Sequence, residues 1–315
     1  MIAEVELPSW SAMAAMADEA SLAQIPADWP NRDASRIVQS GGRAWHVQEL
    51  GQGPAVLLLH GTGASTHSWR SLAATLAQSM HVLAVDLPGH GYTESLAGET
   101  LSLETMSSAL GRLLTDLAIR PEFVIGHSAG AAIALQMEVD GHTQPLCTIG
   151  LNAALKPYGG PFQPLLATLS GAFAASSWLV NRIVARAGDA RSISRLLEST
   201  GSEIDTAGAE QYQRLLMRRE HVRGVLSMMS AWRLGDLTGK LAGLGSELVI
   251  IAARGDKAVR PRDAEQVRRW KNDVQIVSVA GGHLVHEERP DEIGNLILDI
   301  MGRSGGTPEN GRGAG

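Results

Sequence analysis

Apolar residues follow two alternating patterns along most of this chain. Short runs without polar interruption, such as Ala55-Val-Leu-Leu-Leu59 and His81-Val-Leu-Ala-Val85, read as strands covered on both faces. Glu122-Phe-Val-Ile125, Leu146 to Leu151, Glu247 to Ala252 and Val274 to Val279 read the same way. Between them, apolar positions recur at helical spacing. The predicted helices are Ser68–Gln78, Ser102–Leu117, Ala129–Asp140, Pro261–Lys271 and Pro290–Met301. Ser102 stands where an N-cap belongs, and Glu104 adds negative charge to that helix's first turn. Before the first buried strand, Arg36-Ile-Val-Gln and Ala44-Trp-His-Val-Gln flank Gly41-Gly42, the mark of a hairpin. Strands alternating with helices predict an α/β fold: a mostly parallel sheet, helices on both faces, and an antiparallel hairpin at one edge.

The alternation breaks between residues 153 and 235. Within that stretch Glu210 to Trp232 is amphipathic as a helix, with Leu215, Leu216, Val222, Leu226, Met229 and Trp232 apolar. An all-helical insertion between two strands is placed to cap a pocket at the strand ends. The expected organisation is an N-terminal extension (1–34), a core (35–152 and 236–302), this cap (153–235) and a tail (303–315). The tail is too poor in apolar residues to order itself. No internal repeat is found.

Composition narrows the function classes. The 315 residues carry 27 Lys+Arg against 33 Asp+Glu, a net charge of −6, and no basic block, which argues against nucleic acid as a partner. Hydrophobic residues make up 44%, ample for a core of this length. Cys147 is the single cysteine, so neither a disulfide framework nor a multi-cysteine metal site is available. The acidic start lacks an apolar signal core, so a reducing, cytoplasmic setting is expected. Lys156 to Arg182 encloses an uncharged stretch, but its prolines and hydroxyl residues suit a buried or substrate-lining helix better than a transmembrane one.

One constellation carries chemistry. Gly126-His-Ser-Ala-Gly130 lies between a short apolar strand and a helix, where a sharp turn would present the Ser128 hydroxyl at the sheet edge. A serine needs a base, and His283 follows the last strand behind Gly281-Gly282. His286 is the rival. Asp256, after the strand Glu247–Ala252, is the candidate acid to orient the imidazole; the end of the preceding strand offers only Asn152. Backbone N–H groups of Ala129 and Thr62 are the candidate oxyanion donors, Thr62 lying in the glycine-containing loop His60-Gly-Thr-Gly. That loop lacks the lysine of a phosphate-binding loop and any dinucleotide fingerprint, so no cofactor is expected and no metal site is proposed. His127, Phe162, Trp178, Met229 and Trp232 are the candidate substrate-binding residues, His127 as a structural or pocket-wall residue and the others as an apolar cap lining.

The same motifs resemble the α/β-hydrolase superfamily: His60-Gly-Thr-Gly, Asp86-Leu-Pro-Gly-His-Gly91, Gly126-His-Ser-Ala-Gly130, Gly255-Asp256, and Gly282-His283 with Glu288-Arg-Pro290. The resemblance spans about Val38 to Met301. It is closer still to the magnesium-chelatase accessory proteins encoded with bacteriochlorophyll synthesis, on Asp28-Trp-Pro-Asn-Arg, His60 to Arg70, Leu151 to Pro157 and Gly282 to Glu288. The superfamily implies a serine hydrolase acting on an ester, thioester or related acyl compound. The closer resemblance implies service to pigment synthesis, a hydrophobic substrate such as a tetrapyrrole, and a magnesium-chelatase subunit as partner. It also admits a non-catalytic accessory role.

Overall fold

The computed structural model describes residues 22–95, 100–156 and 176–305. Eight strands form one sheet: β1 (Ser35–Ser40), β2 (Arg43–Leu50), β3 (Ala55–Leu59), β4 (His81–Val85), β5 (Phe123–His127), β6 (Cys147–Leu151), β7 (Glu247–Ala253) and β8 (Gln275–Val279). Their spatial order is β1-β2-β4-β3-β5-β6-β7-β8. β1 pairs antiparallel with β2 and β2 with β4, while all other neighbours are parallel. The α/β fold with its antiparallel edge is therefore as the pattern predicts.

Alternation of side chains along each strand builds two cores. Leu57, Leu59, Leu83, Val85 and Val124 face one way, against α2 (Leu103–Asp116) and α3 (Ala129–Val139). Val56, Leu58, Val82, Ala84 and Ile125 face the other way, against α1 (Arg70–Leu76) and α11 (Pro290–Gly305). Helix α11 runs past Met301 to Gly305, so Arg303 to Gly305 are helical rather than part of a tail. The Ser304 hydroxyl, 2.6 Å from the Glu247 carboxylate, ties that last turn down.

The helical insertion comprises α4 (Ser177–Ala187), α5 (Ala190–Ser199), α6 (Thr206–Leu216) and α7 (Arg219–Ala231) among the described residues. The amphipathic stretch Glu210–Trp232 is two helices, not one. Arg218 is extended (φ −87°, ψ 116°), and its guanidinium lies 4.2 Å from the centre of the Tyr92 ring. The break lets the two helices reach different parts of the core. The described part of the N-terminal extension packs on the insertion: Ile25 and Trp29 are buried against Leu215 of α6, and Asp28 pairs with Arg214. A short α8 (Leu237–Lys240) leads back to β7, and α9 (Pro261–Glu265) and α10 (Val285–Glu288) follow β7 and β8. The predicted helix Pro261–Lys271 gives way to a 3₁₀ turn after Glu265.

Candidate active site

Strand β5 is buried throughout and delivers the chain into a forced turn at Ser128 (φ 51°, ψ −114°). A positive φ is costly for a residue with a Cβ, so the surroundings must impose it. The Ser128 N–H donates to the Leu151 carbonyl at 2.9 Å, and its carbonyl accepts from Ala131 and Ala154. A Cβ on Gly130 would overlap the Leu59 carbonyl oxygen, and one on Gly126 would overlap Ala131. Both glycines are thus required for the turn to close. Ala129 opens α3, so its N–H belongs to the first-turn donors that have no intrahelical acceptor.

The loop after β3 lies against this turn. A Cβ on Gly61 would sit 3.1 Å from the Ser128 Cβ, which places Thr62 one residue from the serine's side chain. His60 fixes the loop by donating from Nδ1 to the Gly61 carbonyl (2.8 Å) and accepting at Nε2 from the Leu87 N–H (2.9 Å). Asp86 braces the next segment: its carboxylate accepts from the Thr66 and Tyr92 N–H groups and from His46 Nδ1. Burial alone would raise the Asp86 pKa, but His46, His60 and the Thr66 N–H hold it well below the ordinary carboxylate range.

Asp256 and His283 meet beyond the ends of β7 and β8. One carboxylate oxygen accepts from the Ala258 and Val259 N–H groups, both at 2.8 Å. The other accepts from His283 Nδ1, also at 2.8 Å. With Nδ1 donating, the neutral imidazole keeps its lone pair on Nε2, the form a general base needs. Among the described residues no hydrogen bond joins Ser128 to His283, a contact that in unliganded enzymes often tightens only around substrate. His286, the rival base, is buried in α10 between the rings of Trp69 (4.7 Å) and His127 (4.6 Å). Burial, with help from His283 and Arg70, pushes its pKa down to about 3.

Residues 56–295 match the profile described as "Alpha/beta hydrolase family". The chain belongs to that family. A magnesium-chelatase 30 kDa subunit of Rhodobacter capsulatus is 37% identical over 279 residues, 88% of this chain and 98% of that protein. Esterase Rv0045c of Mycobacterium tuberculosis is 30% identical over 44% of each chain. Among solved structures, an alpha/beta hydrolase fold protein from Burkholderia ambifaria superposes with a TM-score of 0.72 at 22% identity, over 85% of this chain and 98% of that one. At that identity the likeness is one of fold.

Of this α/β hydrolase's candidate substrate residues, two are exposed. Trp178 is 64% exposed, with the Arg182 guanidinium over its ring, and Met229 is 51% exposed. Met228 turns inward instead, where the Thr62 hydroxyl donates to its sulfur at 3.6 Å, and Trp232 shares its core cluster. A step of one residue rotates a helical side chain by about 100°, so Met228 and Trp232 share a face that Met229 does not. Of the two roles open to His127, the contacts are those of the structural one: its Nε2–H donates to the His283 carbonyl at 2.9 Å and its ring packs on His283 and His286. Phe162 lies outside the described residues.

Among the described residues no group of three or more His, Cys, Asp or Glu is arranged to hold a metal, and no helix is long and apolar enough to cross a membrane. A surface groove of about 450 Å³ beside Ser40, Arg43 and Arg112 shares no lining residue with the Ser128 site.

Proposed function

We propose that this α/β hydrolase is a cofactor-independent serine hydrolase cleaving an acyl bond, an ester or thioester, in a hydrophobic substrate that serves bacteriochlorophyll synthesis. The observation that carries the reading is the Asp256–His283 hydrogen bond at the sheet edge where the Ser128 turn stands. In this mechanism the Ser128 Oγ bonds to the substrate carbonyl carbon as its proton passes to His283 Nε2. Negative charge gathers on the carbonyl oxygen, where the Ala129 and Thr62 N–H groups stabilise it. The C–O or C–S bond then breaks, and the leaving group takes the proton from His283. Water, deprotonated by the same histidine, releases the acyl group. Asp256 holds the tautomer and offsets the imidazolium charge throughout. Met228 packs on the Thr62 hydroxyl and so backs the oxyanion loop from the side of the insertion.

The likeness to a magnesium-chelatase subunit over 98% of that protein's length supports a second reading. In it the chain is an accessory protein that binds a tetrapyrrole or a chelatase subunit without hydrolysis.

A fluorophosphonate probe separates the two. The first reading expects covalent labelling at Ser128, lost in Ser128→Ala and His283→Ala and retained in His286→Ala. Asp256→Asn labels slowly, with a loss bounded by the roughly 10⁴-fold drop seen for the equivalent change in a serine protease. An unlabelled wild-type protein, together with normal pigment levels in cells carrying Ser128→Ala, would leave the accessory reading standing.

A further inference from the structure

The backbone around His283 is tied down from two parts of the molecule. The first tie comes from the sheet. Asn152 directly follows β6 with φ 45°, and its amide nitrogen donates to the carbonyls of Gly282 (3.0 Å) and His283 (2.9 Å). Its amide oxygen accepts from the Ala253 N–H at 2.8 Å, at the end of β7, on the path to Asp256. One buried side chain therefore links three strand ends.

The second tie comes from the insertion. Ser202, between α5 and α6, is buried, and its hydroxyl oxygen accepts from the Leu284 N–H at 2.8 Å. The Thr200 hydroxyl donates to it at 3.1 Å, and the Thr200 carbonyl accepts from the Lys257 N–H at 3.0 Å. Residues 200–202 thus bond the neighbour of Asp256 and the neighbour of His283 at once. The approach is backbone to backbone. A Cβ on Gly201 would overlap the Gly255 carbonyl, and a Cβ on Gly282 would overlap the Gly201 carbonyl.

We propose that Asn152 and Ser202 are positioning residues for His283, one held by the sheet and one by the helical insertion. The insertion is then more than a cover for substrate: it supplies half of the seat on which the Asp256–His283 pair rests. As a statement about catalysis this depends on His283 being the base of Ser128.

Two readouts test it. Proton–nitrogen NMR of the His283 Nδ1–H follows its hydrogen bond to Asp256 without reference to any reaction. The second-order rate of fluorophosphonate labelling across pH follows the base in use. Asn152→Gly keeps the positive φ and removes the amide; Ser202→Ala removes the hydroxyl. Each is expected to weaken or shift the Nδ1 proton signal, slow labelling at least tenfold and move the pH midpoint. Ser202→Thr, which keeps the hydroxyl, restores all three, and Ser199→Ala on the exposed end of α5 changes none. Wild-type signal, rate and midpoint in both Asn152→Gly and Ser202→Ala would overturn the proposal. If the wild type shows the Nδ1 signal but does not label, the hydrolase reading fails and the NMR comparison alone decides the positioning roles. Should Asn152→Gly not fold, the serine variants decide the role of Ser202, and Asn152→Asp, which keeps an oxygen for the Ala253 N–H and loses the two N–H donors, decides that of Asn152 by the same readouts.

Discussion

Ser128 is held in a conformation that its own chemistry disfavours. A non-glycine residue in so sparsely populated a region costs of order 1–3 kcal/mol, and this one is 4% exposed and bonded at both its N–H and its carbonyl. Ser128→Gly would relieve that cost while adding about 0.5–1 kcal/mol of chain entropy to the unfolded state. The expected net result is a gain of about 1 kcal/mol in urea denaturation, with complete loss of probe labelling. A destabilised Ser128→Gly protein would mean that the turn carries no strain. The turn was readable from Gly126 to Gly130 because only small residues permit it. Asn152 was not, since a lone Asn after a strand signals only the lack of a carboxylate there. Its three hydrogen bonds depend on where β7 and β8 end, which no local pattern encodes.

At the level of elements, the strands were legible because burial on both faces leaves runs such as Ala55–Leu59 with no polar interruption. The insertion was less so. Its helices lie partly in solvent, so which face turns inward depends on their partners, and Met228 rather than Met229 meets the core. What fastens α6 to the core is equally non-local. The Tyr212 hydroxyl donates to Glu287 at 2.6 Å, and Arg70 of α1 pairs with the same buried carboxylate and, at 3.3 Å, with Asp205. Burial raises the Glu287 pKa to about 7, against the opposing pull of Arg70 and Tyr212. Glu287→Ala would leave the mostly buried Arg70 guanidinium with only the exposed Asp205. A loss of about 3–5 kcal/mol is expected in urea denaturation, the cost of stranding one partner of a buried pair. Glu287→Gln, which still accepts from Tyr212, should lose less. Equal, small losses in both variants would show that the pair contributes little to holding α6.

Across the whole molecule, the buried histidines set the response to pH. His60, His67, His90, His127, His221 and His286 all have pKa values lowered from 6.5, in each case first by burial. As pH falls through 6.5 the unfolded chain takes up protons that the folded chain refuses, so stability is lost on acidification. A group whose folded pKa stays below this window contributes at most about 1.4 kcal/mol between pH 7.5 and 5.5. Glu287 acts in the opposite sense, since its raised pKa makes the folded state bind a proton earlier as pH falls. One carboxyl does not offset six imidazoles. Asp86, with a lowered pKa, loses its contribution only below the ordinary carboxylate range, outside this window. The expected outcome is a fall of several kcal/mol between pH 7.5 and 5.5, a large share of the 5–15 kcal/mol typical of a domain. His286 offers the sharper test, because among the described residues neither ring nitrogen has a hydrogen-bond partner and its ring packs between Trp69 and His127. His286→Phe keeps an aromatic ring there and removes one titrating group, so its loss over the same interval should be smaller by about 1.4 kcal/mol. Urea midpoints for both proteins at the two pH values measure this directly. A wild-type midpoint that stays level from pH 7.5 to 5.5 would mean that the folded state protonates these imidazoles as readily as the unfolded chain does.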